Sequence, residues 1–352
     1  MAYSTIPKGS LYMNTKLYTG NGSTNAITGV GFQPDWVWIK KRNGTTSHVL
    51  TDIVRGITKQ IYSNDTQAEN TNSDTITAIG SDGFTLGNRA DVNNNSDTYV
   101  AWNWKANGQG SANTDGSINT TYTSVNTTAK FSISKYTGNA SSGATIGHGL
   151  GSVPKMIMVK NLSIASNWLV YNYSMSANGD YALFLDSYSV KDNSQDYWGD
   201  TTPTSSVFSV GARQEANGSG NSMIAYCFSD VQGYSKSGIY TGNGNADGTF
   251  VYLGFKPAFV MIKATGLSEN WWIMDSKRST SNVVQNLLQA NLSAAEVVGN
   301  ANIYSDMLSN GFKLRGSDGA FNSSGQNYIY MAFAENPFVA TSGTSAIPVT
   351  AR

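Results

Sequence analysis

One motif returning three times decides most of what this chain can become, because a repeated unit must bury the same face against the same kind of neighbour at every occurrence. The segment LYTGNG (Leu17 to Gly22) comes back as KYTGNA (Lys135 to Ala140) and as IYTGNG (Ile239 to Gly244). Between 16 and 18 residues after each Tyr, a Pro opens an apolar run: PDWVWIK from Pro34, PKMIMVK from Pro154 and PAFVMIK from Pro257. Lys40, Lys160 and Lys263 lie six residues past that Pro, His48, Trp168 and Trp271 fourteen past it, and Asp52, Asn172 and Asp275 eighteen past it. Phe84, Phe208 and Phe312 then begin short alternating segments, and each copy closes on an aromatic-rich run: YVAWNWK from Tyr99, MIAYCFS from Met223, YIYMAFA from Tyr328. Equal spacing means the same strands and connections built three times.

In the run after each Pro, large residues (Trp36, Trp38; Met156, Met158; Phe259, Met261) alternate with β-branched ones (Val37, Ile39; Ile157, Val159; Val260, Ile262). Successive strand side chains point to opposite faces, so a run apolar on both faces is a central strand. The Pro suits the start of a strand, where its missing N–H breaks no ladder, and the repeated Lys is expected where the strand meets water. The closing runs are the expected partners. Turn signals such as Asn21-Gly22, Asn43-Gly44, Asp82-Gly83 and Asn310-Gly311 separate the strands. This reads as an all-β chain of three tandem β-sandwich or jelly-roll-like modules at 14–106, 131–231 and 232–338, with six or seven strands each. Short helices are expected over Ser281 to Glu296, from the spacing of Val283, Val284, Leu287, Leu288 and Leu292, and around Ile53, Ile57 and Ile61. An N-terminal arm (1–13), a polar linker (107–130) and a C-terminal tail (339–352) complete the chain. The long linker predicts a loosely tethered first module beside a rigid pair of second and third modules.

Composition narrows function. Lys plus Arg and Asp plus Glu are 23 each, the net charge is zero, and charged residues are 13%, against roughly 25% in ordinary soluble domains. No basic face is available to neutralise phosphates, so nucleic acid is not an expected partner. The opening MAYSTIPKGSLYMN has neither the basic nor the apolar stretch of a signal peptide, and no run reaches 18 apolar residues, which predicts a soluble chain without membrane insertion. One Cys (Cys227) and two His (His48, His148) give no disulfide framework and no zinc ligand set; oxygen-ligated Ca²⁺ stays open. No cofactor and no catalytic residues are expected. His48 stands where the other copies place tryptophan, which assigns it to packing. His148 reads as a residue of a Gly-rich turn, Cys227 as a small core hydrophobe. Asp52 with Arg55, and Asp275 with Arg278, repeat as Asp-x-x-Arg and read as ion pairs at strand ends. Repetition likewise places Trp168 and Trp271 in the core. Tyr197 and Trp198, in QDYWGD, have no counterpart in the other copies; they are the candidate ligand-binding residues, a platform for sugar, with a satellite cluster under a long loop as the alternative.

The combination of YTGNG, GFxP before an apolar strand ending in Lys, a GF segment and a closing YIYMAFAENPF resembles a repeat-containing family of virion structural proteins from tailed phages of marine and freshwater bacteria. The likeness extends to the opening MAYSTI and to DGSINTTYTSVNTT in the linker; the second copy departs from GFxP, reading Gly-Ser-Val-Pro at 151–154. The resemblance implies a virion protein of tail-fibre or appendage type, assembled with other virion proteins and as a homo-oligomer, with a trimer expected from the habit of such appendages. Three functions follow as expectations: an appendage displaying three modules to a host surface glycan, a capsid decoration or head-fibre protein with no receptor role, and a polysaccharide depolymerase.

Overall fold

The two-faced apolar runs after each Pro form the middle of three six-stranded antiparallel sheets in the computed structural model, which describes residues 4–176, 178–299 and 302–337. The central strands are Trp36–Lys41, Met156–Asn161 and Phe255–Ala264; each pairs with its copy's closing strand, Thr98–Trp104, Ser222–Phe228 or Asn327–Pro337. The register repeats, with Trp38 opposite Trp102, Met158 opposite Tyr226 and Met261 opposite Met331. Opening strands Met13–Thr19, Phe131–Thr137 and Ser235–Thr241 pair with the far side of the closing strands. Side strands Val49–Asp52, Leu169–Asn172 and Trp272–Asp275 flank the central strands. Pro34 and Pro154 precede their strands, whereas Pro257 sits within its strand at a shift of register, where no ladder bond is lost.

A small second sheet covers one face of each large one. Phe84, Phe208 and Phe312 pair there with Ile27, Ile146 and Val251. In the first copy, Ile27, Phe84 and Leu86 meet Val37, Ile39 and Ala101 of the large sheet in one apolar cluster. The protein is an all-β fold of β-sandwich modules, with eight or nine strands per copy once the short ones are counted.

The YTGN motif fixes the end of each sandwich. Tyr18, Tyr136 and Tyr240 donate their hydroxyls to the carbonyls of Val92, Ala216 and Phe321, at 2.7, 2.6 and 2.7 Å. The next residue in each loop is a buried asparagine, Asn93, Asn217 or Asn322, whose Oδ1 accepts the N–H of the motif's own Asn21, Asn139 or Asn243. The motif glycine between them admits no Cβ, which would run into the carbonyls of Asn94, Gly218 or Ser323. A buried amide with both ends bonded is inexpensive, and an unbonded one is not.

The opposite face of every large sheet points at the other two copies. Trp36 stacks on Tyr226 at 4.6 Å and lies 4.4 Å from Trp104, while Trp104 meets Phe259 at 5.6 Å and Phe333 at 5.8 Å. Phe228 closes the ring against Phe333 at 5.8 Å. A single core cluster therefore holds residues of all three copies, and Ile6 from the N-terminal arm is buried in it. Aromatic pairs of this kind add about 0.5–1.5 kcal/mol each beyond the area they bury. The expected loose first module is corrected: it shares its interior with the other two.

Four other expectations change. Residues 120–126 of the supposed linker are a strand that pairs with Phe131–Thr137. The helices expected over 281–296 and near Ile57 are replaced by strands Asn286–Gln289 and Lys59–Tyr62. Two residues of the supposed helical stripe, Val283 and Leu292, are exposed, and only Val284, Leu287 and Leu288 reach the core. Helical turns are confined to Ala90–Asn93, Gln214–Asn217 and the 3₁₀ turn Gly9–Leu11 among the described residues. Lys40, Lys160 and Lys263 do not meet water; all three are fully buried. The C-terminal tail, 339–352, lies outside the described residues.

Candidate functional site: the seams between the copies

Each copy presses the same residues against the same places on the next, and the pattern closes on itself. The indole Nε1–H of Trp168 (second copy) donates to the carbonyl of Tyr62 (first copy) at 2.8 Å. That of Trp271 (third copy) donates to Phe184 (second copy) at 2.8 Å. In the first copy the same place is taken by His48, whose Nε2 lies 3.0 Å from the carbonyl of Gln289 in the third copy. Tyr62, Phe184 and Gln289 occupy one register position, opposite Val49, Leu169 and Trp272. Backbone bonds repeat the cycle: Glu69 N–H to Leu162 O (3.0 Å), Lys191 N–H to Thr265 O (2.9 Å) and Glu296 N–H to Arg42 O (2.8 Å).

His48 has both ring nitrogens engaged. Nδ1 accepts from Trp38 Nε1–H at 2.8 Å, so the proton sits on Nε2 and faces Gln289. Burial, aided by the nearby Lys40 and Arg278 charges, pulls its pKa well below the usual imidazole value and keeps it neutral. His148 is also buried; Nδ1 accepts from Leu150 N–H at 3.2 Å, and burial lowers its pKa to about 4. Burial pushes the Cys227 thiol far up. A base or nucleophile needs access to a substrate proton or carbon, and these groups are sealed from it.

Two of the three buried lysines bridge the seams. Lys160 Nζ donates to Ser166 O (2.6 Å) and across to Thr66 O (2.8 Å), and Lys263 Nζ donates to Ala264 O (3.0 Å) and across to Tyr188 O (3.2 Å). Lys40 Nζ caps its own turn through Lys41 O at 2.8 Å, and Thr46 N–H reaches Ser293 O at 3.1 Å. Burial lowers all three to about 8, which leaves them charged at neutral pH and solvated by carbonyls in place of water.

Two seams carry a buried ion pair. Arg55 Nε pairs with Asp52 Oδ2, which also accepts the hydroxyl of Tyr226 from the second copy at 2.6 Å. Burial raises the Tyr226 pKa, so it remains a donor. Arg278 Nε pairs with Asp275 Oδ2, which accepts Trp102 Nε1–H from the first copy at 3.0 Å. Arg42 adds a two-pronged pair with Glu296 at 2.7 and 3.0 Å. The expected structural ion pairs are these, and the residues that receive them were not visible in the sequence. The repeated asparagine five residues before each closing strand (Asn93, Asn217, Asn322) was a signal that went unused.

Tyr197 and Trp198, expected as a ligand platform, are 5% and 1% exposed within the second copy's core. The Tyr197 hydroxyl donates to Asp192 at 2.9 Å, and Trp198 packs edge-on to Tyr171 at 5.7 Å. With their rings covered inside the second copy, they offer no exposed platform. Among the described residues, no three His, Cys, Asp or Glu side chains converge as metal ligands, and no helix is long and apolar enough to cross a membrane.

The repeating contacts run through almost the whole chain, and so does a family match, which covers residues 8–337. The chain belongs to the family described as Domain of unknown function (DUF7483). The match takes in all three copies and their seams, so this DUF7483 unit is the closed set of three and not one module. No curated protein matches the chain.

Proposed function

We propose that this DUF7483 protein is a structural component of a phage virion, a tail-fibre or other appendage piece that holds three β-modules in one rigid body and presents their loops to a bacterial surface glycan. The observation that carries the reading is the cyclic closure. Charged and aromatic residues are committed to holding the copies together, as suits a part that bears load and performs no turnover. Outside the core, long neutral loops rich in Asn, Ser and Thr offer hydroxyls and amides that match a sugar's hydrogen-bonding. A hollow of about 480 Å³, lined by Ser4, Thr5, Thr127, Thr128, Lys130 and Asp230, has that chemistry. The resemblance of the repeat to virion proteins of tailed phages supports the same assignment.

Labelling intact particles with an antibody against the purified chain tests the location, and a glycan array tests the partner. Label at the tail with binding to a host polysaccharide is the expected result. Label over the head with no glycan bound would move the chain to capsid decoration, and release of reducing ends from the polysaccharide would make it a depolymerase. Absence from purified particles would overturn the proposal.

A further inference from the structure

The second copy differs from the others in having its sheet edge covered. Thr120–Asn126 pairs with the outer side of the opening strand Phe131–Thr137, with Ser124 opposite Ile133 and Asn126 opposite Phe131. The equivalent strand of the first copy, Met13–Thr19, has no partner on that side among the described residues. An open edge is a row of unpaired N–H and C=O groups that will accept another strand.

That edge borders a groove. Two adjoining hollows of about 270 and 280 Å³ share Asn14, Thr15 and Lys277 and together follow the strand from Met13 to Leu17. Thr15 holds the position that Ile133 has in the second copy, each opposite the fourth residue of its closing run. It is 4% exposed, and its Oγ1 has no hydrogen-bond partner. A buried hydroxyl without a partner is destabilising, and this one lies beside the groove.

The chain itself continues from this place. Ala334, Glu335 and Asn336 line the Met13 end of the groove, and residues 338–352 follow directly, reading FVATSGTSAIPVTAR. They share Thr, Ser and Val with TTYTSVN, the strand that covers the second copy's edge. Extended at about 3.3 Å per residue, they exceed the length of a seven-residue strand, and a proline at 348 is tolerable on an edge.

We propose that residues 338–352 dock in this groove in their own chain as an added strand on Met13–Thr19. Entering at the Met13 end, the tail runs parallel to the strand it covers, whereas Thr120–Asn126 runs antiparallel to its partner. The third copy's edge, Ser235–Thr241, carries no added strand among the described residues, although Val231 and Asp230 hold the N–H groups of Ser235 and Ser237, and it serves as the internal control.

Amide hydrogen exchange on the full chain and on a chain ending at Pro337 tests this. Exchange of the outward-facing amides of residues 13–19 should rise about tenfold or more on truncation, with residues 235–241 unchanged, and a synthetic peptide of residues 338–352 should restore protection. The full-length Ile347→Asp/Val349→Asp variant should show the same loss, which guards against misfolding of the shorter chain. Equal exchange in the full, truncated and doubly substituted chains would overturn the proposal. So would protection that appears only with a dimeric mass, since the occupant would then be the tail of a second copy.

Discussion

The seams at Asp52 and Asp275 are ionic and the third is not, and the difference extends to every residue of the set. Where Asp52 has Arg55 and the Tyr226 hydroxyl, and Asp275 has Arg278 and the Trp102 indole, the second copy has Asn172 and Met175. The residue at the donor's register position in the third copy is Met331, which has no proton to give. Carboxylate, guanidinium and donor are present together or missing together. A buried carboxylate needs all its lone pairs met, so dropping one member without the others leaves an uncompensated charge, while dropping all three leaves an uncharged contact. The three interfaces are thus alternative solutions to one packing problem, and the two with an ion pair differ enough from the one without to keep each copy against its proper neighbour.

Breaking one member should have the largest effect. Asp275→Ala leaves Arg278 buried without its main partner, and a loss of about 3–5 kcal/mol is expected in urea denaturation; a loss under about 1 would mean the pair contributes nothing to the seam. His48→Phe strands Trp38 Nε1–H and the Gln289 carbonyl and should cost about 2 kcal/mol. Because His48 is held neutral in the fold, its contribution is complete above the usual imidazole value and lost as pH falls below it. The melting temperature of His48→Phe should accordingly fall less steeply with acid than that of the native chain.

Asp186 separates the second copy from its siblings in a further way. Its Oδ1 accepts Trp168 N–H at 2.9 Å, where Asn64 and Asn291 do the same for His48 and Trp271. Burial raises its carboxyl to about 6, with the Trp168 N–H and Lys160 opposing. A folded-state value above the unfolded one gives stability that is complete below pH 3.8 and lost as pH rises through about 6, so at neutral pH the charge is a cost. Asp186→Asn should stabilise by about 1 kcal/mol at pH 7, and the gain should vanish near pH 4; an equal gain at both values would point to packing. The smallest effect is expected from transplanting the third seam's uncharged set: Asp52→Asn/Arg55→Met/Tyr226→Met together should stay within about 1 kcal/mol of the native chain. A cost as large as that of Asp52→Ala alone would show that the three residues do not act as a set.

Much of the module was legible because strand periodicity is local. The alternation in PDWVWIK and its repeats located the central strands, and the shared spacing located their partners. The supposed helix at 281–296 failed because short apolar runs fit either period, and pairing with the side strand decided in favour of Asn286–Gln289. The lysines failed for a related reason. A Lys at a strand end ordinarily reaches water, and the carbonyls of Thr66 and Tyr188 that enclose Lys160 and Lys263 come from the neighbouring copy. Tyr197 and Trp198 looked free because nothing repeated them, yet the loop that carries them folds over its own sheet.

By itself, then, the sequence determined that one β-sandwich plan is written three times, where its central and closing strands lie, and that His48, Trp168 and Trp271 share one role. The tertiary structure alone decided that the three copies close around one core, which residue meets which across each seam, and that the first copy is not tethered but integral. Periodicity and spacing record what a strand does with its immediate neighbours. Contacts such as Tyr226 to Asp52 join residues 174 apart and leave no trace in any local pattern, because the energy that selects them exists only once the sheets have packed.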